Sequence, residues 1–162
     1  MSLNAQYNVG ARIKAVMGTT SLSISQTSNT PATTQDGLTI DRTSLARRYY
    51  SCKSVAAFSY LAASSQTVAT IGINFQHSSD GTSWDSFSTG TVPTVVTFGT
   101  SSTAGGTTDY DTVEQSVNLN GARRYVRCQI LTPTYANCSS GQGVFSGGAV
   151  IVFGGADELP AQ

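Results

Sequence analysis

An all-β domain, a sandwich or barrel of about eight strands, is predicted by three features of this sequence. Apolar residues recur at a period of two in almost every apolar segment. Clusters of Gly, Ser, Thr, Asn and Asp separate those segments. Helical periodicity is nearly absent. The 162 residues fit a single domain with one core, because domains ordinarily run about 100 to 200 residues.

The elements follow in chain order. Residues 1–18 form an N-terminal arm or first edge strand, sparsely apolar and carrying Arg12 and Lys14, with strand character over 13–17. The main domain spans 19–153 and opens with a strand at 22–24. Residues 26–37 have almost nothing apolar to bury and read as a long polar loop. The stretch 43–48 supplies one helical turn capped by Thr43 or Ser44, too short to stand alone. A strand covers 53–61. Ile71, Ile73 and Phe75 then alternate with Gly72, Asn74 and Gln76, and His77 falls on the apolar side. Asp80-Gly81 marks a turn, the Asp capping the bend and the Gly taking positive φ. Trp84 packs beside the core or caps the sandwich edge, with Phe87 after it.

Pro93 cannot donate to a ladder, so the strand at 92–98 begins at an edge. Residues 99–108 form a second polar loop, and Asp109 and Asp111 sit in a Gly/Thr loop. In 113–119 the odd positions are mainly apolar. In 126–130 the even positions point inward, and Tyr125, Arg127 and Gln129 share the outer face. Val150-Ile151-Val152-Phe153 is apolar on both faces, which predicts a central strand within 144–153. Residues 154–162 read as a C-terminal tail.

Composition excludes several functions. Charged residues are 11% of the chain, against roughly 25% in typical soluble domains. Nine Lys and Arg balance nine Asp and Glu, so no global field exists to hold a nucleic-acid backbone. The longest strongly apolar run, 149–153, is far short of the roughly 20 residues of a membrane-spanning helix. No basic segment followed by an apolar one opens the chain, so the protein is expected to stay where it is made or to leave by lysis. Cys52, Cys128 and Cys138 are odd in number and lack CxxC spacing, which fits neither a disulfide framework nor a zinc knuckle. They read as reduced thiols, with Cys128 in the core. A Cys52 to Cys128 bridge also fits the sequence, although a cytosolic setting disfavours it.

The stretch from Gln76 to Phe87 holds the only His and the only Trp, among serines and aspartates. Ser/His/Asp catalysis needs a base on the nucleophile, a group orienting that base, and donors for the oxyanion. Sequence adjacency does not supply these, no Gly-x-Ser-x-Gly elbow occurs, and His77 lies in phase with core residues. A strand-end histidine hydrogen-bonded to the loop accounts for it. Asp80 and Asp85 bracket a turn and do not read as a glycosidase pair. Asp109-Tyr110-Asp111 lacks the pattern of a calcium loop. No enzyme activity, cofactor or metal is expected.

Gln76-His77-Ser78-Ser79-Asp80-Gly81-Thr82-Ser83-Trp84, followed by Gly121-Ala122-Arg123-Arg124-Tyr125-Val126-Arg127, resembles a pattern in small structural proteins of tailed bacteriophages, the capsid cement or decoration proteins encoded beside the major capsid gene. Asp36-Gly37-Leu38-Thr39-Ile40-Asp41-Arg42 and Ser54-Val55-Ala56-Ala57-Phe58 are similar to that family's first shared strand and its lead-in. The likeness covers residues 36 to 153, and the 26–37 and 99–108 loops are longer than in the pattern. The resemblance implies a jelly-roll-like β-sandwich on the outer capsid surface. It further implies a dimer or trimer, assembled in the host cytoplasm, that binds the major capsid protein and staples capsomers together.

Arg12, Lys14, Arg47 and Arg48 are the expected polar contacts, since Arg forks suit carboxylates on a partner. Trp84 would join them if exposed. Nucleic acid and membrane are not expected partners. The alternatives are a carbohydrate-binding or adhesion module using Trp84, Tyr110 and Tyr135, and a head-to-tail joining or tail subunit.

Overall fold

The computed structural model describes residues 13–20, 22–26, 34–62, 68–87, 94–98, 107–131, 134–136 and 143–156. Arg12, Pro93, Cys138 and most of the 26–37, 99–108 and 154–162 segments lie outside the described residues.

Among the described residues the chain is all-β apart from one 3-10 turn. Its strands are β1 (Lys14–Met17), β2 (Leu22–Gln26), β3 (Gln35–Asp36), β4 (Ile40–Asp41), β5 (Tyr49–Ala62), β6 (Val68–Ser78), β7 (Asp85–Ser86), β8 (Thr94–Phe98), β9 (Thr107–Asn118), β10 (Tyr125–Ile130), β11 (Thr134–Ala136) and β12 (Gly143–Ala156). The first sheet runs β1-β12-β5-β9, with β2 also on β12. In the second, β6 pairs β10 and β11 on one side and β7 and β8 on the other, while β3 and β4 lie beyond β10. Each sheet therefore has four strand positions, some filled by two short segments. Apart from β6 and the β7/β8 position, which are neighbours in the second sheet, successive positions cross between sheets in the manner of an eight-stranded jelly roll.

The alternation in the sequence predicts which side chains meet between the sheets. From the first sheet come Cys52, Ala56, Phe58, Tyr60, Val113, Val117, Phe145, Ile151 and Phe153, all buried. From the second come Ile71, Ile73, Phe75, Val126, Cys128 and Ile130, also buried. Tyr60 lies against Phe145 at 4.6 Å between ring centroids, and Tyr49 against Phe153 at 5.8 Å. Fully burying one such side chain contributes about 1.5–3 kcal/mol, so this layer outweighs every polar contact on the surface.

Several expectations change in detail. β5 and β9 are longer than the apolar runs that announce them, since pairing along one ladder carries polar ends into the sheet. Asp109, Tyr110 and Asp111 thus lie within β9 and not in a loop. The turn after β4 is a 3-10 helix, Arg42–Ser44, capped by Asp41 in place of Thr43 or Ser44. β12 is central, between β1 and β5, yet only one of its faces is dry: Ile151 and Phe153 are buried, whereas Val150 is exposed. Cys52 and Cys128 are free thiols and do not form a bridge. Both are buried, and burial pushes each up to about 12.

Gly147 opposes Phe58 across the β5–β12 ladder, where an added Cβ would stand 2.1 Å from the Ala57 carbonyl oxygen. At neighbouring Gly148 the nearest atom would be Thr19 Oγ1, at 3.6 Å. Gly147→Ala is expected to lower unfolding free energy by about 1–3 kcal/mol through overpacking, while Gly148→Ala stays within about 0.5 kcal/mol. Urea denaturation of the two variants measures the difference, and equal effects would contradict the register.

Candidate functional site

The histidine-containing stretch proves to be a set of hairpin supports. β6 ends at Ser78, and the Asp80 carboxylate accepts hydrogen bonds from the Thr82 and Ser83 amides at 2.8 Å each and from the Ser78 hydroxyl at 2.8 Å. Gly81 adopts φ of 78°. The two amides and the hydroxyl hold the Asp80 carboxyl well below its ordinary 3.8. His77 is half-buried, stacked on Phe87 with centroids 4.5 Å apart, and its Nδ1 accepts from the Arg123 amide at 3.3 Å. Burial, then the Arg123 charge, holds the imidazole below its usual 6.5, against the opposing pull of Asp85. An accepting Nδ1 requires a neutral ring with its proton on Nε2. Ser78 and Asp80 bond each other, while His77 and Asp85 both meet Arg123, one at its amide and the other at its guanidinium, so the residue types of a triad are close in sequence without forming a relay.

Trp84 lies on the outer face of the second sheet, half-buried, with the Arg127 guanidinium carbon 4.2 Å from its ring centroid. Arg127 also donates to Gln76 at 2.7 Å and pairs with Asp36 at 2.9 Å, while Gln129 donates to Asp36 at 2.9 Å. The outer-face alternation of Tyr125, Arg127 and Gln129 therefore builds a polar ladder across β6, β10 and β3. This ladder covers one face of the Trp84 ring. Among the described residues Tyr110 is the more exposed aromatic, 79% open on the outer face of the first sheet.

The densest charge lies elsewhere. Arg42, Arg47, Arg48, Arg123 and Arg124 line one concavity of about 450 Å³. They are five of the nine cationic side chains in the chain. Two segments form it, the stretch from the 3-10 turn to Tyr49 and the turn between β9 and β10. Pairing of Asp41 with Tyr125 and the Arg42 amide on the Arg124 carbonyl, at 3.0 Å, bring them together. The Arg42 guanidinium then clamps both, donating to the carbonyls of Ala122, of Arg123 at 3.1 Å and of Tyr49 at 3.5 Å. Partial burial, reinforced by the Arg48 charge, lowers the Arg42 pKa, as expected where like charges crowd.

Three of the other arginines meet side chains and not carbonyls. Arg124 makes a two-pronged contact to Asp41, with its Nε at 3.1 Å and its terminal nitrogen at 2.7 Å from Oδ2. That contact, with Thr43, keeps the Asp41 carboxyl well below 3.8. Arg123 pairs with Asp85. Arg48 lies over the Tyr50 ring at 5.4 Å.

Of the residues singled out from sequence, Arg47 and Arg48 share this concavity, whereas Lys14 lies on β1 and Trp84 on the outer face of the second sheet. Arg42, Arg123 and Arg124 were not among those candidates. The doublets Arg47-Arg48 and Arg123-Arg124 are the visible signal, but only the β4–β10 pairing shows that they converge. Among the described residues no group of His, Cys, Asp and Glu could hold a metal ion, and no helix is long and apolar enough to cross a membrane.

No protein-family model matches the chain, and no curated protein matches it. Solved structures are similar in fold. The VP2 subviral particle of infectious bursal disease virus matches at a TM-score of 0.51 and 11% identity, over 92% of this chain and 34% of that one. The exported protein XepA of PBSX matches at 0.40 and 17% identity, over 92% and 39%. The tobacco streak virus coat protein matches at 0.37 and 11% identity, over 96% and 95%. The chain spans about a third of the length of the VP2 chains it resembles. At such identities the VP2 likeness establishes a shared jelly-roll architecture.

The His77 environment sets a sign for pH dependence. A folded pKa below 6.5 means that the unfolded chain binds the proton more readily. The contribution of this residue to stability is therefore complete above 6.5 and declines as pH falls through the lower folded value. An NMR titration is expected to show the His77 ring titrating below 6.5 from an Nε2–H tautomer. A midpoint above 6.5 would contradict the hydrogen bond to Arg123.

Proposed function

We propose that this chain is a structural component of a virion, a jelly-roll sandwich that binds the outside of a capsid and staples neighbouring capsomers as a cement or decoration protein. The observation that carries the reading is the gathering of five of nine cations around one concavity on a chain of zero formal net charge. Such a surface suits a defined contact on another protein, since a nucleic-acid binder needs a continuous basic track. The viral particle protein VP2 shares the architecture.

The physical logic is additive. Each copy makes a modest contact, and the partner lattice fixes the spacing of copies, so repetition supplies avidity that one contact lacks. The partner in this reading is the major capsid protein, and the unit that docks is a dimer or trimer. Arg47 and Arg48 act within the arginine concavity, and residues 1–18, with Arg12 and Lys14, form a second contact arm. Trp84, with one ring face already covered, has the lesser part.

Particles made from a genome lacking this gene provide the test. Purified protein is expected to rebind them to saturation, at copy numbers in the hundreds, and to raise their disruption temperature. Particles that neither take it up nor change in stability would overturn the proposal. Uptake of only a handful of copies would point instead to a joining or tail subunit.

A further inference from the structure

We infer that the arginine concavity recognises a carboxylate-rich polypeptide segment, a short run of Asp or Glu on the surface this protein docks against. The inference rests on the proposed shell-binding role and names the chemistry of that contact. Three observations carry it.

The first is donor availability. Arg48 places its guanidinium carbon 5.4 Å from the Tyr50 ring centroid, a cation–π contact that leaves N–H donors for a further acceptor. Arg124 is held by its two-pronged contact to Asp41, whose side chain is only 24% open, whereas the Arg123–Asp85 pair is exposed on both sides, at 44% and 62%. An exposed pair such as Arg123–Asp85 contributes little, which leaves Arg123 open to exchange with an incoming carboxylate. Arg42 is different, because its bonds to three carbonyls hold the concavity in shape.

The second is geometry. The Arg124–Asp41 contact already shows this site receiving a carboxylate in the forked manner that suits guanidinium. The third is the remaining lining. Leu45, Ala46 and Ala122 supply apolar contact for the methylenes and backbone of a peptide, and the aromatic among the lining residues, Tyr49, is buried against Phe153. The lining itself therefore presents no exposed aromatic ring on which a base could stack. Of the other described cations, Lys53 pairs with Glu114 and Arg127 with Asp36.

The test uses the full-length protein and a fluorescently labelled hexaglutamate peptide, with hexaglutamine and a thymidine hexanucleotide as comparisons. Hexaglutamate is expected to bind saturably, to weaken with added salt, and to lose about tenfold or more in affinity in Arg47→Gln/Arg48→Gln. Arg48→Glu, on an exposed side chain, is expected to weaken it further while the melting temperature holds. Hexaglutamine should not bind, and the hexanucleotide should bind more weakly. Absence of saturable hexaglutamate binding, equal binding by the variants, or tighter binding of the hexanucleotide would overturn the inference.

Particle rebinding separates the two proposals. If the wild type and Arg47→Gln/Arg48→Gln rebind equally, the virion role stands and the concavity is not its contact. If the wild type fails to rebind while hexaglutamate binding remains arginine-dependent, the carboxylate site stands and the virion role falls.

Discussion

The long antiparallel pairing of β5 with β12, from Ala62 opposite Gly143 to Tyr49 opposite Ala156, sets the phase of the first sheet. Because side chains alternate across a strand, this one register decides that Phe58, Tyr60, Phe145, Ile151 and Phe153 all point inward. A slip of one residue would turn them to solvent and bring Ser51, Lys53 and Val150 into the core. The same ladder delivers Tyr49 to the end of the sandwich, where Arg47 and Arg48 precede it and the Arg42 side chain reaches its carbonyl. The shape of the charged end is thus a consequence of packing in the core.

That end concentrates what the rest of the surface lacks. With charged residues at 11%, most of the exterior offers hydroxyl, amide and small apolar groups, and the paired ions outside the cluster neutralise one another. Crowding five guanidinium groups into one concavity is unfavourable in isolation. Carbonyl acceptors for Arg42 and the two aspartates on Arg123 and Arg124 offset that repulsion in the free protein. A carboxylate-bearing partner would offset it further, which gives binding a direction without requiring a high net charge.

Much of the fold was legible in the sequence because alternation reports directly on which face of a strand is dry. Ile71, Ile73 and Phe75, and Val126, Cys128 and Ile130, are buried as their spacing requires, but the opposite face of β6 is not wet as alternation implies, since Asn74 and Gln76 are buried too, beneath Ser86 and Arg127. Asp80-Gly81 forms its turn, and His77 is a supported strand-end side chain. The apolar run Val150 to Phe153 announces a central strand, and β12 is central, although Val150 on its outer face is exposed. Sheet position concerns neighbours along the hydrogen bonds, and it does not determine what lies above the outer face. The loop reading of Asp109 to Asp111 failed because a long partner strand can impose pairing on polar residues that carry no apolar signal.

The charged site was half legible. Arg47 and Arg48 stood out as a doublet, but Arg42, Arg123 and Arg124 join them only through contacts between residues some eighty positions apart. Hydrogen–deuterium exchange on free and particle-bound protein tests the central claim most directly. The account predicts that amides of residues 42–49 and 119–124 slow on binding. Slowing confined to the 79–87 hairpin or to the outer face of β5, β9 and β12, with the arginine end unchanged, would contradict it.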